Sequence, residues 1–120
     1  MISDRQRAEK RGRRAELYAA LFLMLRGYRI TARNLLTPYS EVDILAIRGK
    51  TCALIEVKSR RTWQACEDSL TPATRRKLDA ASAYIHDRYP YARRRDMRLD
   101  TVFVVGWRIR HHVDAWRPGD

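Results

Sequence analysis

The sequence predicts an α/β fold, a mixed central β-sheet flanked by α-helices in the order α-β-β-β-α-β-β. Three observations carry that expectation. Residues 3–26 and 71–89 have the caps and apolar spacing of helices. Residues 40–60 alternate with period two about Gly49-Lys50, and residues 99–113 hold a second strand pair about Gly106. A chain of 120 residues, 45% of them hydrophobic, makes one core, so a single domain over 1–120 is expected.

The elements follow in chain order. Ser3-Asp4-Arg5-Gln6 has the form of a capping box, and the Ala-, Leu- and Arg-rich stretch after it runs to a stop at Gly27. Gly12 lies inside that helix and weakens its first turns, so ordered helix is expected from near residue 12. Residues 28–33 alternate as a strand and end in the loop Leu36-Thr37-Pro38-Tyr39-Ser40. Strands are expected at 41–48 and 51–58, and residues 60–70 read as loop because no period is visible. Thr71-Pro72 opens the second helix, with Leu78, Ala81, Tyr84 and Ile85 on its buried face and Pro90 at its end. After the basic loop Arg93-Arg94-Arg95 come a buried strand over 99–105 and a final one with Trp107, Ile109, His111 and Val113 alternating.

Composition narrows the function. The 25 Lys and Arg residues against 14 Asp and Glu leave a net charge of +11, which attracts polyanions, nucleic acid first among them. Arginine makes up 21 of the 25, the side chain whose planar fork suits phosphate. Cys52 and Cys66 form no C-x-x-C pair, and His86, His111 and His112 have no metal-ligand spacing, so neither a zinc site nor a disulfide framework is indicated and a reducing cytoplasm fits. The apolar run from Leu17 to Leu25 has nine residues, too short to span a bilayer, and no targeting segment is expected. No Gly-rich phosphate loop and no Ser-His-Asp arrangement is visible.

The chemistry concentrates in the first hairpin. A two-residue type II′ turn at Gly49-Lys50 sets Asp43 opposite Glu56 and Glu41 opposite Lys58, with Ala53, Ile55 and Val57 on the other, core-facing side. Directly opposed Cβ atoms lie roughly 4.5–5.5 Å apart, where like charges destabilise a sheet. A divalent cation such as Mg²⁺ offsets that repulsion, since hard carboxylate oxygens can share it. Lys58 can then hold a phosphate or an attacking water, as metal-assisted phosphodiester hydrolysis requires. A plainer reading keeps the same residues as a solvated polar face, with Glu41 balanced by Lys58 and the acids by Arg60 and Arg61.

Asp43 followed by Glu56-Val57-Lys58 resembles the motif of the PD-(D/E)XK nuclease superfamily. From about Gly12 to Val105 the chain is similar to the YraN-like family of predicted endonucleases, related to archaeal Holliday-junction resolvases. The pieces that carry the resemblance are Gly12-Arg13-Arg14-Ala15-Glu16, Arg33-Asn34, Glu41-Val42-Asp43, Ile55-Glu56-Val57-Lys58-Ser59-Arg60, Lys77 and Arg98-Leu99-Asp100. It implies a restriction-endonuclease-like fold, Asp43 and Glu56 as ligands of Mg²⁺ or Mn²⁺, Lys58 as catalytic lysine, Glu16 as an additional catalytic acid, and Glu41 as a supporting acid beside the ligands. Two departures stand out: Ser40 where the family has Gly, and residues 61–65 without its Phe-Gly pair.

The expected function is metal-dependent cleavage of DNA, with branched or structured DNA among its substrates and a homodimer as one arrangement for cutting two strands. Nucleic-acid contacts are expected from Arg33 and Arg60 beside the site and from a phosphate track of Arg75, Arg76 and Lys77 on the second long helix. Trp63 is expected to lie over the core, stacking on an unpaired base being the alternative. A non-catalytic nucleic-acid-binding module with the same fold, or a basic protein that meets RNA or an acidic protein, would share the composition.

Overall fold

The structure, a computed structural model, describes residues 2–116. Helix α1 spans Asp4–Leu25, and Ser3 caps it: its Oγ accepts from the Gln6 N–H at 3.2 Å while the Gln6 side chain accepts from the Ser3 N–H at 2.9 Å. That double cap carries the helix through Gly12, so it starts at Asp4 rather than near residue 12. Gly27 stops it in a left-handed conformation, φ 89°.

Five strands form one sheet in the order β1-β2-β3-β4-β5: Arg29–Leu36, Glu41–Arg48, Thr51–Ser59, Asp96–Val105 and Arg108–Trp116. Only β3 and β4 run parallel, which makes the sheet mixed as expected. The first strand runs on to Leu36, three residues past its expected end, because Ala32, Arg33 and Leu35 remain paired with Leu45, Ile44 and Val42. The β2–β3 register matches the expected one, Arg48 against Thr51 through Ile44 against Ile55, and Gly49 takes φ 58° as the first residue of a type II′ turn must.

Between β3 and β4 the chain departs from the expected order. Residues 63–68 form a short helix α2 (Trp63–Asp68), capped by the Thr62 hydroxyl on the Ala65 N–H, where loop was expected. Six residues are too few to show a period, but Cys66 and Leu70 bury there with Phe103, and Trp63 packs over them as expected. Helix α3 (Pro72–Arg88) follows with Thr71 as its cap, and Pro90 both ends it and opens a further turn, α4 (Pro90–Arg93). Arg95 is tied down rather than free, donating to the carbonyls of Gly49 at 2.9 Å and Tyr91 at 2.7 Å.

Both faces of the sheet are covered. Ala15, Ala19, Ala20 and Leu23 of α1 pack on Ile44, Ala46, Ala53, Ile55 and Val57, while Leu78, Ala81 and Ile85 of α3 pack on Leu45, Cys52, Leu54 and Leu99. Both sides of the hairpin therefore take part in a core, where the sequence suggested one. At the edge, β5 alternates only through Ile109 and His111. Asp114, at φ 54°, breaks the pattern before Trp116, and Trp107 stays 78% exposed. No helix among the described residues is long and apolar enough to cross a membrane.

Candidate active site

The ladder between β2 and β3 stops at Ile44 and Ile55, one residue short of the acids. Beyond it the Val57 N–H donates to Asp43 Oδ2 at 2.8 Å, so this carboxylate takes the place of a strand partner. Asp43 is thereby held on the backbone of the residue next to Glu56. The alternation of β3 brings Glu56 and Lys58 to the same end, where Lys58 Nζ stands 3.9 Å from Glu56 Oε1. Glu16 comes from α1, on the turn that also buries Ala15 and Ala19.

These groups line one cavity of about 630 Å³, with Asp43, Glu56 and Lys58 from the hairpin on one side and Arg5, Gly12 and Glu16 of α1 on the other. Glu56 is only 7% exposed. Burial, a hydrogen bond with Asp43 and the charge of Asp43 push its carboxyl up to about 9, and Lys58 only partly opposes this. At 3.9 Å the Lys58 contact is long for an ion pair, and the burial of Glu56 outweighs it. Glu16 is also raised, by burial and then by Asp43, against the pull of Arg33 and a hydrogen bond from Asn34. Its Oε2 is buried and has no hydrogen-bond partner among the described residues.

An acid raised in the folded state stabilises it less as pH rises. Between the ordinary glutamate range and about pH 9 the folded chain holds a proton on Glu56 that the unfolded chain releases. Metal-free stability should therefore fall across that window by up to about 1.4 kcal/mol per pH unit. Glu56→Gln should flatten the fall, melting above the wild type at pH 8 and close to it at pH 4. Parallel melting curves of the two proteins over that range would count against a buried, proton-holding Glu56.

The other expected site residues divide into two groups. Arg60 lines the cavity and Arg33 lies close enough to act on Glu16, so both accompany the acids. Glu41 is exposed at the start of β2, and its charge reaches Glu16. Arg75, Arg76 and Lys77 sit on α3, and none lines the cavity. Arg75 is packed over the Trp116 ring at 5.8 Å, with its Nε buried and without a hydrogen-bond partner among the described residues. Trp63 carries the Arg110 guanidinium 3.9 Å from its ring centre.

Sequence reasoning missed Arg5 and Arg11, which line the cavity from α1. It also missed a buried ion cluster. Asp100, fully buried, accepts from Arg98 Nε at 2.9 Å and Nη2 at 2.8 Å, from the Asp114 N–H at 2.9 Å, and pairs with His111 Nε2 at 2.9 Å. Arg98 donates to the Tyr28 hydroxyl as well. The only signal in the sequence was the Arg98-Leu99-Asp100 piece of the family pattern.

The fold and this site define a small, strongly basic α/β protein with a buried glutamate, a half-buried aspartate and a lysine at one end of a mixed sheet. It belongs to the Uncharacterised protein family UPF0102, whose pattern matches residues 15–104, in agreement with the YraN-like resemblance. The chain is similar to a UPF0102 protein of Parvibaculum lavamentivorans, 44% identical over 112 residues that cover 92% of this chain and 84% of that protein. It is also similar to those of Paramagnetospirillum magneticum, 42% identical over 93% of this chain and 91% of that protein, and Caulobacter vibrioides, 43% over 91% and 88%.

Proposed function

We propose that this protein is a metal-dependent endonuclease of the PD-(D/E)XK superfamily, with a restriction-endonuclease-like fold, hydrolysing phosphodiester bonds in DNA, branched or structured DNA included. The observation that carries the reading is the pairing of half-buried Asp43 and buried Glu56 with Lys58 in one open, basic-rimmed cavity. A glutamic acid kept protonated by burial beside a second carboxylate marks a site that lacks positive charge, and oxygen donors suit Mg²⁺ or Mn²⁺. Glu16 lines the same cavity with an oxygen that has no hydrogen-bond partner among the described residues, as a further acid beside the pair.

Asp43 and Glu56 would hold the cation, which when bound supplies Lewis-acid stabilisation of phosphoryl oxygens. Val57 fixes Asp43 through its N–H, so the ligand needs no reorganisation. To serve as a ligand Glu56 would release its proton to solvent, and Lys58 beside it would orient the attacking water or hold the phosphate. Arg60 and Arg33 neutralise flanking phosphates and Glu16 takes part as a further acid.

One observation favours the second reading, a nucleic-acid-binding module without catalysis: among the described residues, no three ligating side chains are already gathered into a metal-binding group. A cleavage panel separates the two. Single-stranded, blunt duplex, flap and four-way DNA are incubated with Mg²⁺ or Mn²⁺, and metal-dependent products are expected from at least one of them. Binding to all of these with no product from any, with either ion, would favour the module.

A homodimer accompanies the proposal, since cutting two strands of a branched substrate calls for two sites. Leu17, Leu21, Met24 and Leu25 leave an exposed apolar stripe on α1 for a second copy. Buried free thiols at Cys52 and Cys66 suit a reducing cytoplasm.

A further inference from the structure

Helix α1 has two halves that do different work. Its buried residues begin at Ala15 and continue to Leu23, where it packs on the sheet. No residue before Ala15 is buried, yet the same side of the helix continues through Gly12, Ala8 and Arg5, and these line the cavity. Over three turns, therefore, the underside of α1 faces the carboxylates across open space. Residues 4–14 carry Arg5, Arg7, Lys10, Arg11, Arg13 and Arg14 against Asp4 and Glu9. Arg5 is paired with Glu9 at 3.3 Å, but at 90% exposure that pair is screened and readily exchanged for a phosphate.

Resting on the hydrolase reading above, we propose that the first half of α1 is a roof that admits one unpaired nucleic-acid strand to the carboxylates and keeps a continuous duplex out. Three features point this way. A cavity of about 630 Å³ between a helix and a strand end is of small-ligand size, room for a short piece of one strand. Its roof is lowest in bulk where a strand must pass, at Ala8 and Gly12, and a Cβ on Gly12 would meet nothing within 4 Å. Cationic groups stand on both sides of the passage, Arg5 and Arg11 above with Lys58 and Arg60 below. No aromatic ring among the described residues lines it, so the strand is gripped by its backbone, and base sequence matters little.

Binding in EDTA tests this without any chemistry. Fluorescence anisotropy compares a labelled single strand, the blunt duplex of the same sequence and a duplex with a single-stranded flap. Charge density alone would favour the duplex. The roof predicts tighter binding of the single strand and the flap. Gly12→Leu, which fills the passage, should weaken single-strand binding about tenfold or more and leave the blunt duplex within about twofold. Its melting temperature should not fall, since leucine is the better helix former. Ala8→Leu, on the same underside, serves if Gly12→Leu fails to fold, and Arg93→Ala with Arg94→Ala is the control for charge lost elsewhere. A blunt duplex bound as tightly as the single strand, or wild-type single-strand affinity in both leucine variants, would overturn the roof. Asp43-dependent cutting of blunt duplex alone would overturn it and leave the hydrolase reading standing. Strand-selective binding without any cutting would do the reverse.

Discussion

Asp43→Ala is expected to lower the rate of DNA cleavage by about 10³-fold or more while leaving DNA affinity within about fivefold. The side chain is one of two carboxylates proposed to hold the cation, and its position is fixed by the Val57 N–H at 2.8 Å. Losing it forfeits Lewis-acid stabilisation of several kcal/mol, and about 1.4 kcal/mol is a tenfold change in rate. Affinity should survive because the proposed phosphate contacts are those of cationic groups such as Arg11, Arg60 and Arg33. Glu56→Ala and Lys58→Ala should behave alike. Single-turnover cleavage beside anisotropy titrations separates the two effects. A variant that still cuts at the wild-type rate would remove its residue from the chemistry, and one that loses binding and cutting together would make it a docking residue.

Asp100→Ala should cost about 3–5 kcal/mol of stability, a drop in melting temperature on the order of 10–20 °C. The carboxylate is fully buried between β4 and β5, and its removal strands the Arg98 guanidinium, which is 18% exposed and draws its charge support chiefly from Asp100. Burial alone would raise the Asp100 pKa, but hydrogen bonds from His111, Arg98 and the Asp114 N–H outweigh it and hold the group below the usual carboxylate range. Its contribution is therefore present at neutral pH and lost as pH falls through that lowered value, opposite in sign to Glu56. Asp100→Asn keeps an acceptor and should lose less. Thermal melts of both at pH 7 give the comparison, and an alanine variant as stable as the wild type would mean that Arg98 finds water when Asp100 is gone.

Much of the site was legible because one turn fixes it. Gly49-Lys50 and the period of two set the β2–β3 register, and with it the meeting of Asp43, Glu56 and Lys58 at one end of the hairpin. The caps at Ser3 and Thr71-Pro72 marked two helix starts for an equally local reason. Helices α2 and α4 escaped notice because one or two turns carry no period, and their stability comes from Cys66 and Ala92 docking against the sheet. Arg75 read as a surface cation because its neighbour, Trp116, is 41 residues away and meets it only through tertiary packing. Arg5 and Arg11 read as one more solvated basic run, and only the reach of α1 beyond its packed half sets them over the acids.

Thermal melting with and without Mn²⁺ distinguishes a metal site at Asp43 and Glu56 from a polar patch balanced by nearby cations. In metal-free protein near pH 9, where Glu56 begins to lose its proton, Asp43→Asn keeps an acceptor for the Val57 N–H while removing the charge that repels the ionised Glu56, so it should melt above the wild type. Added Mn²⁺ should reverse the order, stabilising the wild type by roughly 2.7 kcal/mol when the free ion stands about 100-fold above its dissociation constant, and the variant far less. A wild type that melts above Asp43→Asn without metal, with neither protein responding to millimolar Mn²⁺, would contradict the account.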